Sequence, residues 1–269
     1  MRAFPASVLA ICGLIATGCG GAVTGGASAG RAAEPAPAPP AQAAGVATAK
    51  PLDGKVVVID PGHNGGNYKN PAAVNRKVNV LTKWKPCDTT GTETTGGYTE
   101  AAFTWDVSNR LVKLLESRGA KVTLTRSSNT GVGPCITERA AIGNKAKADA
   151  ALSVHADGAP PAGHGFHVIM PKKINGPVDP VVGKSSKLGV AVRDSFRKGT
   201  GLPYSTYIGS KALDYRSDLG GLNLSTVPKV FVECGNMKNP AEAAKFQDPK
   251  FRQRIALALA DGLQHYLEA

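Results

Sequence analysis

The chain has 269 residues, 42% hydrophobic and 19% charged, with a formal net charge of +12 from 32 Lys and Arg against 20 Asp and Glu. That charge raises nucleic acid as a partner. The basic residues are dispersed, however, and no helix-turn-helix, zinc finger or aromatic-basic sheet motif accompanies them, so a nucleic-acid role is set aside.

Residues 1–19 read as a secretory signal: Arg2 is followed by the apolar core Val8 to Ala16, too short to span a bilayer. Two exits are open to it. Ala16-Thr17-Gly18-Cys19 resembles a lipobox that would leave an acylated Cys19, the one route to a membrane anchor, and Ala27-Ser28-Ala29 offers ordinary cleavage. Residues 20–51 are dominated by Ala, Pro and Gly and read as a disordered tether. Residues 52–269 then supply enough chain for one domain with a full core. The expected location is outside the cytoplasm, in periplasm, wall or medium, as a free protein or a lipoprotein. A basic surface there suits an anionic envelope polymer.

Lys55 to Asp60 is a continuous apolar run capped by an acid, the pattern of a strand buried on both faces. Pro61-Gly62 breaks it and leaves His63 on the loop at its carboxyl end. The polar segment 64–97 follows, long enough to read as functional or mobile. A helix is expected over about 98–118, with Phe103, Val107, Leu111, Leu114 and Leu115 on one face and Gly119 as its stop. Glu100 falls in its first turn, where an acid favours the helix dipole in any protein. Lys121 to Thr125 reads as a strand and 136–148 as a helix. Ala150 to Val154 is a strand ending in His155, and Gly165 to Met170 another, with His167 inside it. A helix over 184–198, a strand from Lys229 to Val232 ending in Glu233, and a helix over 251–267 complete the order.

Strands alternating with helices predict an α/β fold: a three-layer αβα arrangement around a mostly parallel sheet of about six strands. Sites in such sheets form at the carboxyl ends of the strands. His63, His155 and Glu233 each follow a strand and so share one edge. Two neutral imidazoles with one carboxylate make a three-ligand zinc site with an open position, and a spare carboxylate can move protons.

Three cysteines lie in the domain. Cys87 and Cys135 occupy Gly/Pro/Thr-rich loops, and we pair them; the bridge closes a loop of about 49 residues, worth about 4 kcal/mol in the chain-entropy model. Cys234 is left as a buried thiol; other pairings are open to the sequence. Cys234 is also a poor nucleophile candidate, because it faces away from Glu233 on an extended strand. Residues 52–269 contain no Gly-x-Ser-x-Gly elbow.

Six islands in order resemble one family: Val57 to His63, the helix opening with Glu100, Val122 to Arg126, Arg139-Ala140, Ser153 to Asp157, and Val232 to Asn239. They are similar to the zinc-dependent N-acetylmuramoyl-L-alanine amidases, the compact secreted actinobacterial type above all, across residues 55–267. The resemblance implies one Zn²⁺ per chain on His63, Glu100 and His155, which moves Glu100 from a helix-dipole residue to a ligand. It implies Glu233 as general base and acid, and peptidoglycan or a muropeptide as substrate. The bond cut would join N-acetylmuramic acid to the L-alanine of the stem peptide. His167, Asn64, Arg126 and Asp157 are the expected substrate contacts, and a monomer is expected. Asp157 stands where relatives carry Asn, His167 where they often carry an acid, and the segment after His63 replaces a common Gly-x-Asp-x-Gly pattern. Residues 171–183 are short and Pro/Gly-rich, with no counterpart of the helix that plugs the zinc site in some relatives. A zinc carboxypeptidase and a non-catalytic wall binder are the competing readings.

Overall fold

The computed structural model describes residues 49–269. The expected signal, residues 20–48 of the expected tether and Cys19 lie outside them. Leu52 is already fully buried, and its N–H donates to the Arg118 carbonyl, tying the chain entry to the end of the first long helix.

Six strands form the main sheet: β1 (Val56–Pro61), β4 (Lys121–Leu124), β5 (Ala150–Asp157), β6 (His167–Pro171), β7 (Leu213–Arg216) and β8 (Lys229–Asn236). A small hairpin, β2 (Lys77–Asn79) with β3 (Trp84–Pro86), sits in the long segment after His63. The main order is β4-β1-β5-β8-β6-β7, and every neighbouring pair is parallel except β6 against β8. The α/β class and the mostly parallel sheet are as the alternating pattern predicted.

The strand period of two divides the residues between two faces. Val57, Ile59, Leu152, Val154, Val230 and Val232 meet one large core. That core is closed by three helices: α2 (Glu100–Ser117), α4 (Val182–Thr200) and α7 (Pro249–Glu268). Phe103, Val107 and Leu111 of α2, Leu188, Val192 and Phe196 of α4, and Ile255, Leu259 and Leu263 of α7 recur at helical spacing and are fully buried. Each such side chain contributes about 1.5–3 kcal/mol of burial. Gly262 lets α7 close on α4, since a β-carbon there would stand 2.7 Å from the Val192 Cα.

The other face is covered more thinly. Val58 and Ala151 meet α3 (Ile136–Ala146) in a smaller cluster. Beside it lie Val78, Val80 and the Cys87–Cys135 disulfide. The short helices α1 (Pro71–Asn75), α5 (Gly220–Asn223) and α6 (Pro240–Gln247) complete the fold. The thin cover matters, because it leaves the carboxyl ends of β1, β5 and β8 open on this face.

Several boundaries differ from the sequence reading. The first long helix starts at Glu100 rather than at 98, because Thr99 caps it by accepting from the Ala102 N–H at 3.3 Å. β6 starts at His167, since Gly165 sits at φ +92 and cannot continue a strand. Residues between β6 and α4 form one 3-10 turn, Asp179–Val181.

Candidate metal centre and catalytic pocket

Local geometry brings the three ligand candidates together. β1 ends at Pro61, Gly62 turns the chain, and His63 takes the left-handed conformation at φ 57, a strained position for a side chain with a β-carbon. The turn is held from below: Arg139 donates to the carbonyls of Pro61 at 2.8 Å and His63 at 3.0 Å. Glu100 arrives from the first turn of α2 and is buried. His155 arrives from β5, its ring stacked on Phe231 of β8 at 5.3 Å. One donor atom from each of His63, Glu100 and His155 lies within 4.8 Å of the others.

Gly62 is small for a reason found here. A methyl at that position would overlap the His155 imidazole. Gly62→Ala is expected to displace His155 and lower zinc affinity about 10-fold to 100-fold, the range for disturbing a ligand's support. Competitive chelator titration measures it, and an unchanged affinity would count against His155 as a ligand.

The donor set fits a divalent zinc ion. His63 Nδ1 faces the Thr89 carbonyl at 3.1 Å, the Thr89 hydroxyl at 3.2 Å and Asp88 at 3.4 Å, so it carries the ring proton and donates. Nε2 therefore presents its lone pair to Glu100 Oε2, 3.1 Å away. A lone pair opposed to a carboxylate oxygen at that distance calls for a cation between them, a proton in the metal-free site or a metal ion. Glu100 Oε2 also accepts the Thr92 N–H at 3.0 Å, and Oε1 accepts the Ala156 N–H at 3.2 Å and faces His155 Nδ1 at 3.0 Å. Burial opposes a charge on His63, but Glu100 and Asp88 outweigh it and hold the ring's pKa well above its ordinary value. Burial likewise opposes a charge on Glu100, and the two histidines outweigh it and hold its carboxyl below the usual range. Two imidazole nitrogens and one buried carboxylate are the donors zinc prefers.

Glu233 stands beside them. β8 pairs with β5 so that Glu233 lies opposite His155. Burial, then the charges of Glu100 and Asp157, push its carboxyl well above the ordinary value, against His63 and Arg216. Glu233, Asp157, Arg216 and the three ligand candidates share a cavity of about 320 Å³. A smaller one of about 180 Å³ lies under the two imidazoles, walled by Phe231, Ile136 and Gly221. A wider groove of about 850 Å³ runs past the opposite strand ends, by Lys55, Lys184 and Tyr266, and carries none of these groups. Chemistry, not size, marks the site.

The four expected substrate contacts fare differently. Asp157 is partly exposed and lines the catalytic cavity. His167 is buried opposite Glu233. Arg126 is spent inside the protein, donating to the carbonyls of Pro61, Ala101 and Ser128 at 2.8–3.0 Å. Asn64 is buried and donates to Asp88 at 3.0 Å. Both brace the His63 loop rather than face the cavity. Asp88, Thr89, Arg216 and Phe231 were missed. Asp88 and Thr89 directly follow a bridged cysteine, the one signal that fixed their segment in place. Cys234 is free and buried on the opposite face from Glu233, and burial together with the charges of Glu233 and Glu100 pushes its thiol up, away from nucleophilic use.

Comparison with known proteins identifies the family. The sequence profile described as N-acetylmuramoyl-L-alanine amidase (Amidase_3) matches residues 57–265. N-acetylmuramoyl-L-alanine amidase Rv3717 of Mycobacterium tuberculosis is 40% identical over 223 residues, 82% of this chain and 90% of that protein. The crystal structure of the N-acetylmuramyl-L-alanine amidase Ami1 of Mycobacterium smegmatis superposes with a TM-score of 0.76 at 40% identity, covering 80% of this chain and 98% of that one. The apo form of Ami1 from Mycobacterium abscessus gives 0.75 at 42% identity, over 80% and 100%.

Proposed function

The chain belongs to the N-acetylmuramoyl-L-alanine amidase family and is a peptidoglycan hydrolase; from that premise we propose how its residues divide the work. His63, Glu100 and His155 hold zinc, and Glu233 is the general base and acid. The observation that carries this reading is the meeting of the three donors within 4.8 Å, with Glu233 in register beside His155. When bound, zinc supplies a Lewis acid that makes water more acidic and polarises a carbonyl.

The protein's own groups do the rest. Thr89 and Asp88 fix the His63 tautomer, and the Thr92 and Ala156 N–H groups fix the Glu100 carboxylate. Glu233 takes a proton from the attacking water and returns it to the L-alanine nitrogen as the C–N bond breaks. That return is needed because an amide anion is too poor a leaving group. A carboxyl held above its ordinary pKa suits both halves of the transfer. Asp157 and Arg216, at the cavity wall, are the polar contacts for the substrate. The segment between β6 and α4 supplies none of the cavity lining, which supports an enzyme active without removal of a plug. The disulfide and a cell-wall polymer as substrate support export.

The test is the product formed from a muramyl peptide by the purified protein, with and without chelator. New L-alanine N-termini that vanish with chelator are expected. Release of a terminal amino acid would point to a carboxypeptidase, and wall binding without release to a non-catalytic role.

A further inference from the structure

Three strands lay a row of polar side chains across the site. β5 places His155 opposite Glu233, and β6 places His167 opposite the same Glu233 from the other side. Cross-strand partners carry their side chains on one face with β-carbons about 5 Å apart. Glu233 therefore lies between two imidazoles. His155 belongs to the candidate metal set, whereas nothing so far uses His167.

His167 is 1% exposed, yet its Nδ1 has no hydrogen-bond partner among the described residues. Oε2 of Glu233, on the neighbouring strand, is buried without one as well. The Tyr207 ring stands perpendicular to the His167 ring at 6.1 Å, and its buried hydroxyl is also unpartnered. An orphaned buried polar atom costs folding free energy. Three such atoms around one pair of residues do not serve stability, and each needs another account. Burial and the Arg216 charge hold the His167 ring below its ordinary pKa, against Asp157 and Asp214. A neutral ring keeps one N–H to give.

The geometry points to His167 as a positioning residue for Glu233: an N–H at its Nδ1, given through one water, fixes one carboxylate oxygen and leaves the other for the proton in transfer. Tyr207 steadies the imidazole from the side. The inference rests on the reading of Glu233 as the base.

Three variants separate this role from packing. His167→Asn carries an N–H where Nδ1 stands and is expected to keep kcat within about threefold. His167→Gln, with its N–H at the Nε2 position, and His167→Leu, with none, are expected to lose about 30-fold to 100-fold in kcat at unchanged KM, the cost of a misplaced reacting group. Should the Leu variant fail to fold, the Asn and Gln pair decides alone. A readout apart from turnover is the imidazole ¹⁵N resonance of His167 in metal-stripped protein, expected to shift on Glu233→Gln. Equal kcat for Asn and Gln, a loss confined to KM, or an unmoved resonance overturns the inference. Glu233→Ala is assayed alongside. If it stays active, the base assignment itself falls; if it is inactive while turnover ignores His167, only the positioning role falls.

Discussion

Replacing Glu233 with glutamine is expected to lower kcat on a muramyl peptide about 10³-fold to 10⁴-fold, while bound zinc stays unchanged. The upper part of the range for general acid–base catalysis applies because one group serves both proton transfers. A 10³-fold loss corresponds to about 4 kcal/mol of barrier. Glutamine keeps the shape and removes only the ability to hold the proton. The same variant should not destabilise the fold. Glu233 is buried, its Oε2 is unpartnered, and Glu100 and Asp157 repel its charge, so removing that charge relieves the folded state. Glu233→Asp keeps the charge but shortens the reach, and a loss of about 10²-fold is expected. Turnover of the Gln variant within tenfold of the parent would remove Glu233 from the mechanism.

That reading was open from the sequence because three of the four groups follow strands whose apolar runs need no tertiary information. Val57 to Ile59 and Ala150 to Val154 are buried on both faces, and Val230 and Val232 flank a half-buried Phe231, so composition alone reveals these runs. Glu100 was different. The first turn of any helix favours an acid, and only the resemblance made it a ligand. β7 escaped notice because Leu-Asp-Tyr-Arg is short and half-exposed at the sheet edge, with no apolar run to signal it. The bracing contacts of Arg126 and Asn64 were hidden for a physical reason as well. Arg126 and Asn64 are polar and close in sequence to the site, which suits a groove contact equally well. Whether a guanidinium turns outward or satisfies backbone carbonyls depends on loop geometry that sequence spacing does not encode. Asp88 and Thr89, which set the His63 tautomer, act across 25 and 26 residues of an irregular segment, beyond any local pattern.

The largest stability effect is expected at Asp60, which the sequence presented only as the acid capping a strand. Asp60 is 2% exposed and accepts from Thr125 at 2.6 Å, Arg139 at 2.8 Å, Ser153 at 2.9 Å and Lys229 at 3.0 Å. Arg139 and Lys229 are themselves buried. Asp60→Ala leaves two buried cations without their shared carboxylate; Arg139 keeps a 3.4 Å contact to Asp88 and its backbone carbonyls, and Lys229 only the face of the Phe231 ring. A loss of about 5 kcal/mol is expected, the top of the range for breaking a buried pair. That consumes much or all of the stability of an ordinary domain. Lys229→Met should cost less, about 1–3 kcal/mol, because Asp60 keeps Arg139 while one desolvated charge disappears. The Asp60→Ala cost should fall when Lys229→Met is already present, a coupling read by a double-mutant cycle in denaturant. The pH dependence has a fixed sign. Burial raises the Asp60 pKa, and Lys229, Arg139 and the Thr125 hydrogen bond outweigh it and hold it well below the ordinary value. Its contribution is therefore fully present above the usual carboxylate range and is lost as pH falls toward the depressed pKa. Because Arg139 also carries the Pro61 and His63 carbonyls, an Asp60 variant that still folds should bind zinc more weakly. Unchanged melting in Asp60→Ala would mean that the two cations find other partners, and the buried network would then not be what holds the His63 turn.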